Sequence, residues 1–147
     1  YNDANMPAIV NKDYTGRVVL GELFGYKSTV KTYTPAFYYY LKLNKQARLN
    51  IPVNPEHNAF IYAVSGKLEV EGQNAVKPNQ LVLYKRGADN INIYSEEGAE
   101  IFLLGGQPLN EIVYSYGPFV MNTEAQIMQC INDYNAGKMG NPDVVNR

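Results

Sequence analysis

The chain has little cysteine, histidine and charge, and these shortages exclude several classes of protein. A single cysteine, Cys130, rules out an internal disulfide framework and a cage of thiolate metal ligands. A net charge of −1 provides no basic field for direct nucleic acid binding. The apolar runs are far shorter than the roughly 20 residues of a membrane helix, so no membrane partner is expected. The low cysteine content favours a cytoplasmic protein.

The N-terminus lacks the features of a targeting segment. "YNDANMPAIV" has no charged stretch followed by an apolar stretch, so it is not a signal peptide. The first residue is Tyr1 rather than Met, and we expect the chain to begin inside a longer protein. Its 147 residues correspond to one domain that is large enough to bury a core.

Short apolar runs separated by turn residues indicate an all-β fold. The runs are "GRVVLGELFG", "AFYYYLKL", "RLNIPV", "AFIYAVSGKLEV", "NQLVLYK", "NINIYS" and "AEIFLLGG". Glycine, proline and asparagine punctuate the intervals, and no helical pattern lies between the runs. This spacing predicts a β-sandwich or β-barrel.

Alternation within these runs predicts which side chains face the core. One face of residues 37–43 carries Phe37, Tyr39, Leu41 and Leu43, and the other carries Tyr38, Tyr40 and Lys42. In the same way Leu81 and Leu83 oppose Val82 and Tyr84, and Ile101 and Leu103 oppose Phe102 and Leu104. Both faces are thus apolar or aromatic, whereas a free-standing barrel has polar outer faces. Either a second sheet or helix of this chain covers the outer faces, or a neighbouring domain or subunit does.

The last third of the chain predicts an extended connection followed by a helix at about 123–136. Thr123 and Gln126 fit a capping box, and Gly137 is placed to end the helix. The apolar stripe consists of Ile127, Cys130, Ile131 and Tyr134. The stripe can dock on the barrel's own outer face or on a surface outside it, and the long connection favours the second.

Several motifs in this order resemble the pirin family. "GGQPLNEIVYSYGPFVMNTEAQIMQCINDYNAGKMG" resembles the end of pirin-family proteins, and "HNAFIYAVSGKLEVEG" is similar to part of their second half. The similarity runs from about Pro7 to Gly140. One departure is Ile112, where the family is expected to have proline after Glu111.

The resemblance implies a fold and a domain organisation. Pirins are bicupins, with two tandem double-stranded β-helix (cupin, or jelly-roll) barrels. The N-terminal barrel holds iron through three histidines and a glutamate, and the C-terminal barrel holds none. This chain is similar to the C-terminal barrel alone, with a barrel at about 16–118, a helix at about 123–136, and the N-terminal metal-binding cupin domain absent from the chain. The resemblance also implies quercetin 2,3-dioxygenase activity in some members and a nuclear transcription cofactor in animals.

The cupin ligand pattern, when placed on this sequence, finds no metal ligands. With the first arm anchored on Gly66, the glutamate position falls on Ala59, and the histidine positions fall on Val53 and Pro55 or on Pro52 and Asn54. With the second arm anchored on Gly87, the proline position falls on Lys85 and the histidine position on Asn90. His57 is out of frame with both arms and is interpreted as a loop or rim residue. We therefore predict no catalytic, cofactor-binding or metal-binding residue in this chain, and expect iron in the missing N-terminal half.

Other candidate residues favour structural roles. Glu69 and Glu71 share one face of a strand as a carboxylate pair would, but a solvated face is the simpler interpretation. Glu111 lies in a connection where a carboxylate often accepts backbone hydrogen bonds. Cys130 is on the apolar helix stripe as a small hydrophobic residue, and nothing links it to His57 as a nucleophile pair.

The tyrosines at 38–40 have two interpretations. They can stack a flat aromatic ligand, or they can pack against a neighbouring surface, which is the favoured interpretation.

Two functions follow from these observations. The favoured one is a structural and interaction module that supports the metal-bearing half, with the N-terminal cupin half of the same protein as partner and a homo-oligomer as a further possibility. The alternative is part of an iron-dependent, quercetin 2,3-dioxygenase-like enzyme that is not active as this fragment. A histidine-x-histidine pattern upstream of Tyr1 would favour the enzyme.

Overall fold

The structure is a computed structural model and describes residues 6–71 and 75–140. Within these residues it has thirteen strands and one helix. The strands are β1 (Ala8–Val10), β2 (Tyr14–Leu20), β3 (Glu22–Leu23), β4 (Tyr26–Lys27), β5 (Ala36–Leu43), β6 (Ala47–Pro52), β7 (Asn58–Gly66), β8 (Glu69–Val70), β9 (Leu81–Tyr84), β10 (Asn90–Ser95), β11 (Ala99–Gly106), β12 (Tyr114–Tyr116) and β13 (Phe119–Met121), and the helix is α1 (Glu124–Asn135).

Two antiparallel sheets form the barrel. The larger has six strands in the order β1-β2-β5-β11-β7-β9, and the smaller has three in the order β6-β10-β8. Side chains from both sheets meet in one hydrophobic core, which includes Leu41, Ile61 and Ile101 from the first sheet and Ile51 and Ile93 from the second. The predicted all-β cupin fold with a C-terminal helix is confirmed.

The predicted strand faces agree with the register of the six-stranded sheet. Phe37, Tyr39, Leu41 and Leu43 are buried, while Tyr38 and Tyr40 on the other face are half-buried. Ile101 and Leu103 are completely buried in β11. Each such aliphatic side chain contributes about 1.5–3 kcal/mol when it leaves water, so the alternation fixes the register of the strand.

The chain divides into two compact units, Tyr1–Pro108 and Leu109–Arg147. The sequence placed the barrel at about 16–118, which differs from the structure at both ends. Strand β1 precedes residue 16, and strand β2 spans it. Since Ile9 and Val18 on these strands belong to the barrel core, the barrel begins before residue 16. At the other end Tyr114–Tyr116 pairs with Phe119–Met121 in a separate hairpin and joins neither barrel sheet.

The second unit consists of the β12–β13 hairpin and α1. The predicted capping box is confirmed: the Gln126 N–H donates to Thr123 Oγ1 at 3.3 Å, and the Thr123 N–H donates to Gln126 Oε1 at 3.1 Å. Gly137 follows the helix with a φ of 70°, a conformation that suits glycine and ends the helix.

The apolar stripe of α1 is only partly buried in the structure. Ile127 is 5% exposed, Cys130 and Ile131 are half-buried, and Tyr134 is 64% exposed. The helix packs on β12 and β13, and the Tyr134 ring meets the edge of Phe119 at 6.2 Å between centroids. The hairpin of its own unit was not among the docking surfaces that the sequence suggested.

Candidate functional site

The two arms that correspond to a cupin metal site lie side by side at one end of the barrel. The Val53 N–H donates to the Asp89 carbonyl at 2.9 Å, and the Gly87 N–H donates to the Pro55 carbonyl at 2.9 Å. The backbone therefore brings the two arms together. Their side chains are different from those of a metal site, since Ala59 is a buried methyl group at the glutamate position.

The remaining ligand positions carry side chains that face elsewhere or make other contacts. Pro52, Asn54, Pro55 and Lys85 are exposed, and Val53 packs against the core. The Asn90 side chain donates to Asp89 Oδ1 at 2.7 Å and accepts from Asn92 Nδ2 at 3.2 Å.

Aromatic side chains fill the interior next to Ala59. The rings of Phe37 and Tyr39 stack at 5.2 Å between centroids with an interplanar angle of 19°. Phe37 lies over Gly105, where an added Cβ would be 2.6 Å from Cε1 of Phe37 and closer still to its Cζ atom. Tyr84 is the cross-strand partner of Ala59 and packs against the same core. The rings of Phe37 and Tyr84 therefore lie beside the alanine that stands at the glutamate position.

These residues do not fit a cupin iron centre of three histidines and one glutamate. In residues 6–71 and 75–140 no three histidine, cysteine, aspartate or glutamate side chains are grouped so that they could hold a metal ion. The arms instead carry alanine, valine, proline and asparagine, whose side chains offer no imidazole or carboxylate.

His57 lies in the turn between β6 and β7 at the rim of the barrel. Its N–H donates to the Asn54 carbonyl at 3.0 Å, and Asn54 Oδ1 accepts from the Glu56 N–H at 2.9 Å. Its ring is nearly parallel to that of Phe37, at 6.5 Å between centroids and 16°. The only histidine of the chain is thus part of an aromatic stack at the rim.

We predict that the purified chain binds no stoichiometric transition metal. A lone imidazole without further ligands binds metal weakly, because a cupin-type site needs several converging donors. Elemental analysis after dialysis against iron, nickel or zinc should give far less than one ion per chain, with the same result for His57→Ala. One tightly held ion per chain that disappears in His57→Ala would contradict the prediction.

Two tyrosines beside this region, the buried Tyr39 and the half-buried Tyr84, have hydroxyl groups in different surroundings. The Tyr39 hydroxyl donates to the Glu22 carbonyl at 2.6 Å, and burial raises the pKa of Tyr39 to about 12. Burial also raises the pKa of Tyr84, whose hydroxyl is closed to water and has no hydrogen-bond partner among the described residues. An unpaired buried hydroxyl costs about 1–3 kcal/mol, whereas a paired one contributes about 1 kcal/mol.

We expect opposite effects when the two hydroxyls are removed. Tyr84→Phe should raise the free energy of unfolding at neutral pH, because it removes a polar group without a partner. Tyr39→Phe should lower it by about 1 kcal/mol through the lost bond to Glu22. Urea unfolding followed by circular dichroism measures both, and equal destabilisation would show that the Tyr84 hydroxyl is paired.

The same tyrosines give the unfolding free energy a dependence on alkaline pH. The folded pKa of Tyr39, about 12, lies above the ordinary value of 10, so its contribution is present below pH 10 and is lost as the pH rises toward 12. The free energy of unfolding should fall over this window, and Tyr39→Phe should make the fall shallower.

The candidate carboxylates Glu69 and Glu71 lie on the three-stranded sheet, away from the two arms. Glu69 and Glu71 line an open groove of about 670 Å³ on the outer face of the three-stranded sheet, with Arg48 and Tyr94. Glu71 accepts from Asn92 Nδ2 at 2.7 Å, and the Arg48 guanidinium lies 4.4 Å from the centre of the Tyr94 ring. The polar side chains of neighbouring strands thus pair with one another, as is typical of the solvent-exposed face of a sheet.

Glu111 has a structural contact in the second unit. Asn122 Nδ2 donates to Glu111 Oε2 at 2.9 Å and to the Ile112 carbonyl at 2.9 Å, just before the helix begins. The carboxylate thus accepts from a side-chain amide rather than from the backbone N–H groups that the sequence suggested.

Comparison with known proteins identifies the family. The family model for the pirin C-terminal cupin domain matches residues 38–140. Human pirin is 34% identical over 131 residues, which cover 86% of this chain and 45% of that protein. The pirin-like protein of Caulobacter vibrioides is 32% identical over 142 residues, which cover 96% of this chain and 48% of that protein.

A solved structure supports the same relationship. The crystal structure of quercetin 2,3-dioxygenase from Acinetobacter baumannii superimposes with a TM-score of 0.85 at 32% identity, over 95% of this chain and 49% of that one. The chain thus spans about half the length of these relatives. None of the described helices has the length and hydropathy to cross a membrane. The family model, the sequence identities and the shared fold together show that this chain belongs to the pirin family and carries its C-terminal cupin domain.

Proposed function

We propose that this chain is the metal-free C-terminal half of a pirin-like bicupin and acts as a structural and interaction module. Its partner is the metal-bearing N-terminal half of the same protein, which carries the iron. A second copy of the chain takes the same surface when the N-terminal half is missing. The cysteine content favours the cytoplasm as its compartment.

The observation that carries the proposal is the outer face of the six-stranded sheet. Two rows of side chains cross strands β5, β11, β7 and β9 in register, and we call them the outer rows. They consist of Tyr40, Phe102, Tyr62 and Leu81, and of Tyr38, Leu104, Phe60 and Leu83. Phe102 contacts Tyr38 at 5.5 Å and Tyr40 at 5.6 Å between ring centroids.

The outer rows are unusual for a surface that meets only water. Leu81 is 56% exposed and Leu83 is 71% exposed, at the β9 edge of the sheet. A contiguous apolar patch of this kind is typical of a protein interaction site, and aromatic side chains are enriched in such interfaces. The chain covers about half of its relatives, which supports the other half of the same protein as the occupant.

The test places a charge on the outer rows. We expect the double variant Leu81→Lys and Leu83→Lys to weaken binding of the separately produced N-terminal half at least tenfold, because two ammonium groups would have to be desolvated. Asn50→Lys, on the outer face of the three-stranded sheet, is the matched control and should bind as the wild type does. Analytical ultracentrifugation and calorimetry measure both association and self-association. Unchanged binding by the double variant would exclude this face as the docking surface.

The alternative function belongs to the whole protein. The Acinetobacter baumannii relative is named a quercetin 2,3-dioxygenase, which favours an iron-dependent dioxygenase whose metal is held outside this chain. We expect no quercetin-dependent oxygen uptake by the isolated chain with added iron, above the background of free iron. Uptake above that background would place activity in this chain, whereas uptake by the full-length protein alone would support the alternative.

A further inference from the structure

Strand β9 is an outermost strand of the six-stranded sheet and lacks the features that protect such strands from further pairing. In the described part of the chain it pairs with β7 alone. Its residues, Leu81–Tyr84, include no charge and no proline. The other outermost strands of the two barrel sheets are protected, since β6 carries the exposed Arg48 and ends at Pro52, and β1 and β8 have only three and two residues. Strand β9 is therefore the edge most open to a further strand.

The backbone of β9 has unpaired groups on its outer side. The Ala63 N–H donates to the Gln80 carbonyl at 3.0 Å, and hydrogen-bonded positions alternate from there along the antiparallel ladder with β7. Leu81 and Leu83 take the intervening positions, so their N–H and carbonyl groups point away from β7. Among residues 6–71 and 75–140 these groups have no hydrogen-bond partner.

This edge is complementary to the same edge of a second copy. When two β9 strands pair antiparallel about a twofold axis at Val82, Leu81 of each copy stands opposite Leu83 of the other. The free N–H of each leucine then meets the free carbonyl of the other. Both side chains are exposed on the outer face and become cross-strand neighbours. Because the twofold contact uses both edges, the assembly closes at two copies.

We propose that β9 is a dimerisation edge, at which two copies of this chain join their six-stranded sheets into one continuous sheet. The contact consists of backbone hydrogen bonds at the edge, whereas the proposed docking function uses the side chains of the outer rows. Both involve Leu81 and Leu83, so the experiments use changes that affect only one of the two contacts. The far end of the outer rows, at Tyr38 on β5, stays uncovered in the edge dimer.

Amide hydrogen exchange of the whole chain at increasing concentration tests the pairing directly. The N–H groups of Leu81 and Leu83 should exchange at least tenfold more slowly once analytical ultracentrifugation shows a dimer. The N–H groups of Val82 and Tyr84 already point to β7 and should change little, which makes them internal controls. A chain that stays monomeric, or a dimer in which Leu81 and Leu83 exchange as fast as in the monomer, would overturn the proposal.

Matched variants separate the edge from the outer face. Leu83→Pro removes an N–H that points away from β7, where edge strands tolerate proline, and should weaken dimerisation at least tenfold more than Leu83→Ala. Tyr38→Lys places a charge on the outer face three strands from β9 and should leave the dimer intact. Equal dimerisation by Leu83→Ala and a folded Leu83→Pro, or loss of the dimer in Tyr38→Lys, would place the contact on the outer rows and overturn the proposal. If Leu83→Pro does not fold, the exchange of Leu81 and Leu83 in the wild type still decides.

Discussion

Gly105→Ala should destabilise the barrel by about 3 kcal/mol, and Phe37→Leu should cost less in that background than in the wild type. The added methyl group would meet the Phe37 ring on one side and the carbonyl oxygen of Asn58 on the other. Overpacking of this kind costs about 1–3 kcal/mol, and here one of the two obstacles is backbone on the adjacent strand, which cannot rotate away. The expected cost therefore lies at the upper end of that range.

The double variant separates the two obstacles. Phe37→Leu alone should lower the free energy of unfolding by about 1–2 kcal/mol, because it shrinks a side chain that is 8% exposed. In Gly105→Ala the same change also relieves a clash, so the coupling energy should be about 1–2 kcal/mol in the direction of rescue. The clash with the Asn58 carbonyl persists, so we expect partial recovery. Urea unfolding of the four proteins gives the coupling energy directly.

Gly25→Ala is the control for glycine replacement in general. Gly25 has a φ of 84° and no atom within 4 Å of a built Cβ, so alanine there should cost only about 1 kcal/mol of backbone strain. Equal costs at Gly25 and Gly105, or additive effects of Phe37→Leu and Gly105→Ala, would mean that Phe37 does not depend on Gly105 for its place in the barrel.

Local sequence patterns predicted the strands and the cap of the helix. In β5 and β11 the two-residue alternation correctly predicted that Leu41 and Ile101 are in the core. The alternation is sufficient because side chains of one strand face point to the core and those of the other point away. Thr123 and Gln126 predicted the helix start because they are three residues apart, as a capping box requires. Such signals are local, and a single sequence contains them completely.

The features missed in the candidate site depend on contacts between residues far apart in the chain. The pairing of Phe37 with Gly105 requires that β5 and β11 be neighbours in a particular register. Likewise, the position of Tyr84 opposite Ala59 follows from the β7–β9 register. The sequence predicted that the cupin ligand positions carry no histidine or glutamate, but it could not show that aromatic rings lie in the adjacent interior.

The boundary between the two units also depends on strand pairing that the sequence pattern does not show. Residues 105–122 have the glycine, proline and asparagine content of a connection, and this composition predicts one extended segment. The structure pairs Tyr114–Tyr116 with Phe119–Met121 around Gly117, whose φ is 53°. A short hairpin with exposed aromatic side chains lacks the alternation of a half-buried strand, so periodicity alone does not reveal it.

The second large effect is expected in the C-terminal unit, where Ile127→Asp should abolish the stable helix. Ile127 is the one buried side chain of α1, at 5% exposed. The substitution removes about 1.5–3 kcal/mol of apolar burial and puts a carboxylate where it has no partner, for a total of about 3–5 kcal/mol. A twelve-residue helix is marginal in water without packing, and its cap contributes only about 1 kcal/mol.

Met128→Asp is the matched control, because it places the same charge one residue further along the same helix. Met128 is 53% exposed, so this variant should lose less than about 1 kcal/mol. Amide hydrogen exchange across Glu124–Asn135 should show full loss of protection in Ile127→Asp and near-wild-type protection in Met128→Asp. Similar protection in both variants would mean that burial of Ile127 does not hold the helix in place.

Hydrogen exchange also decides which surface holds the helix. The contacts of α1 with β12 and β13, and of Tyr134 with Phe119, lie within the unit itself. If these contacts are sufficient, α1 should be equally protected in this chain and in the full-length protein. Stronger protection in the full-length protein would show that the half-buried Cys130 and Ile131 meet a further surface there. In that case Ile131→Asp should destabilise the helix more in the full-length protein than in this chain, because the added carboxylate would be buried only in the former.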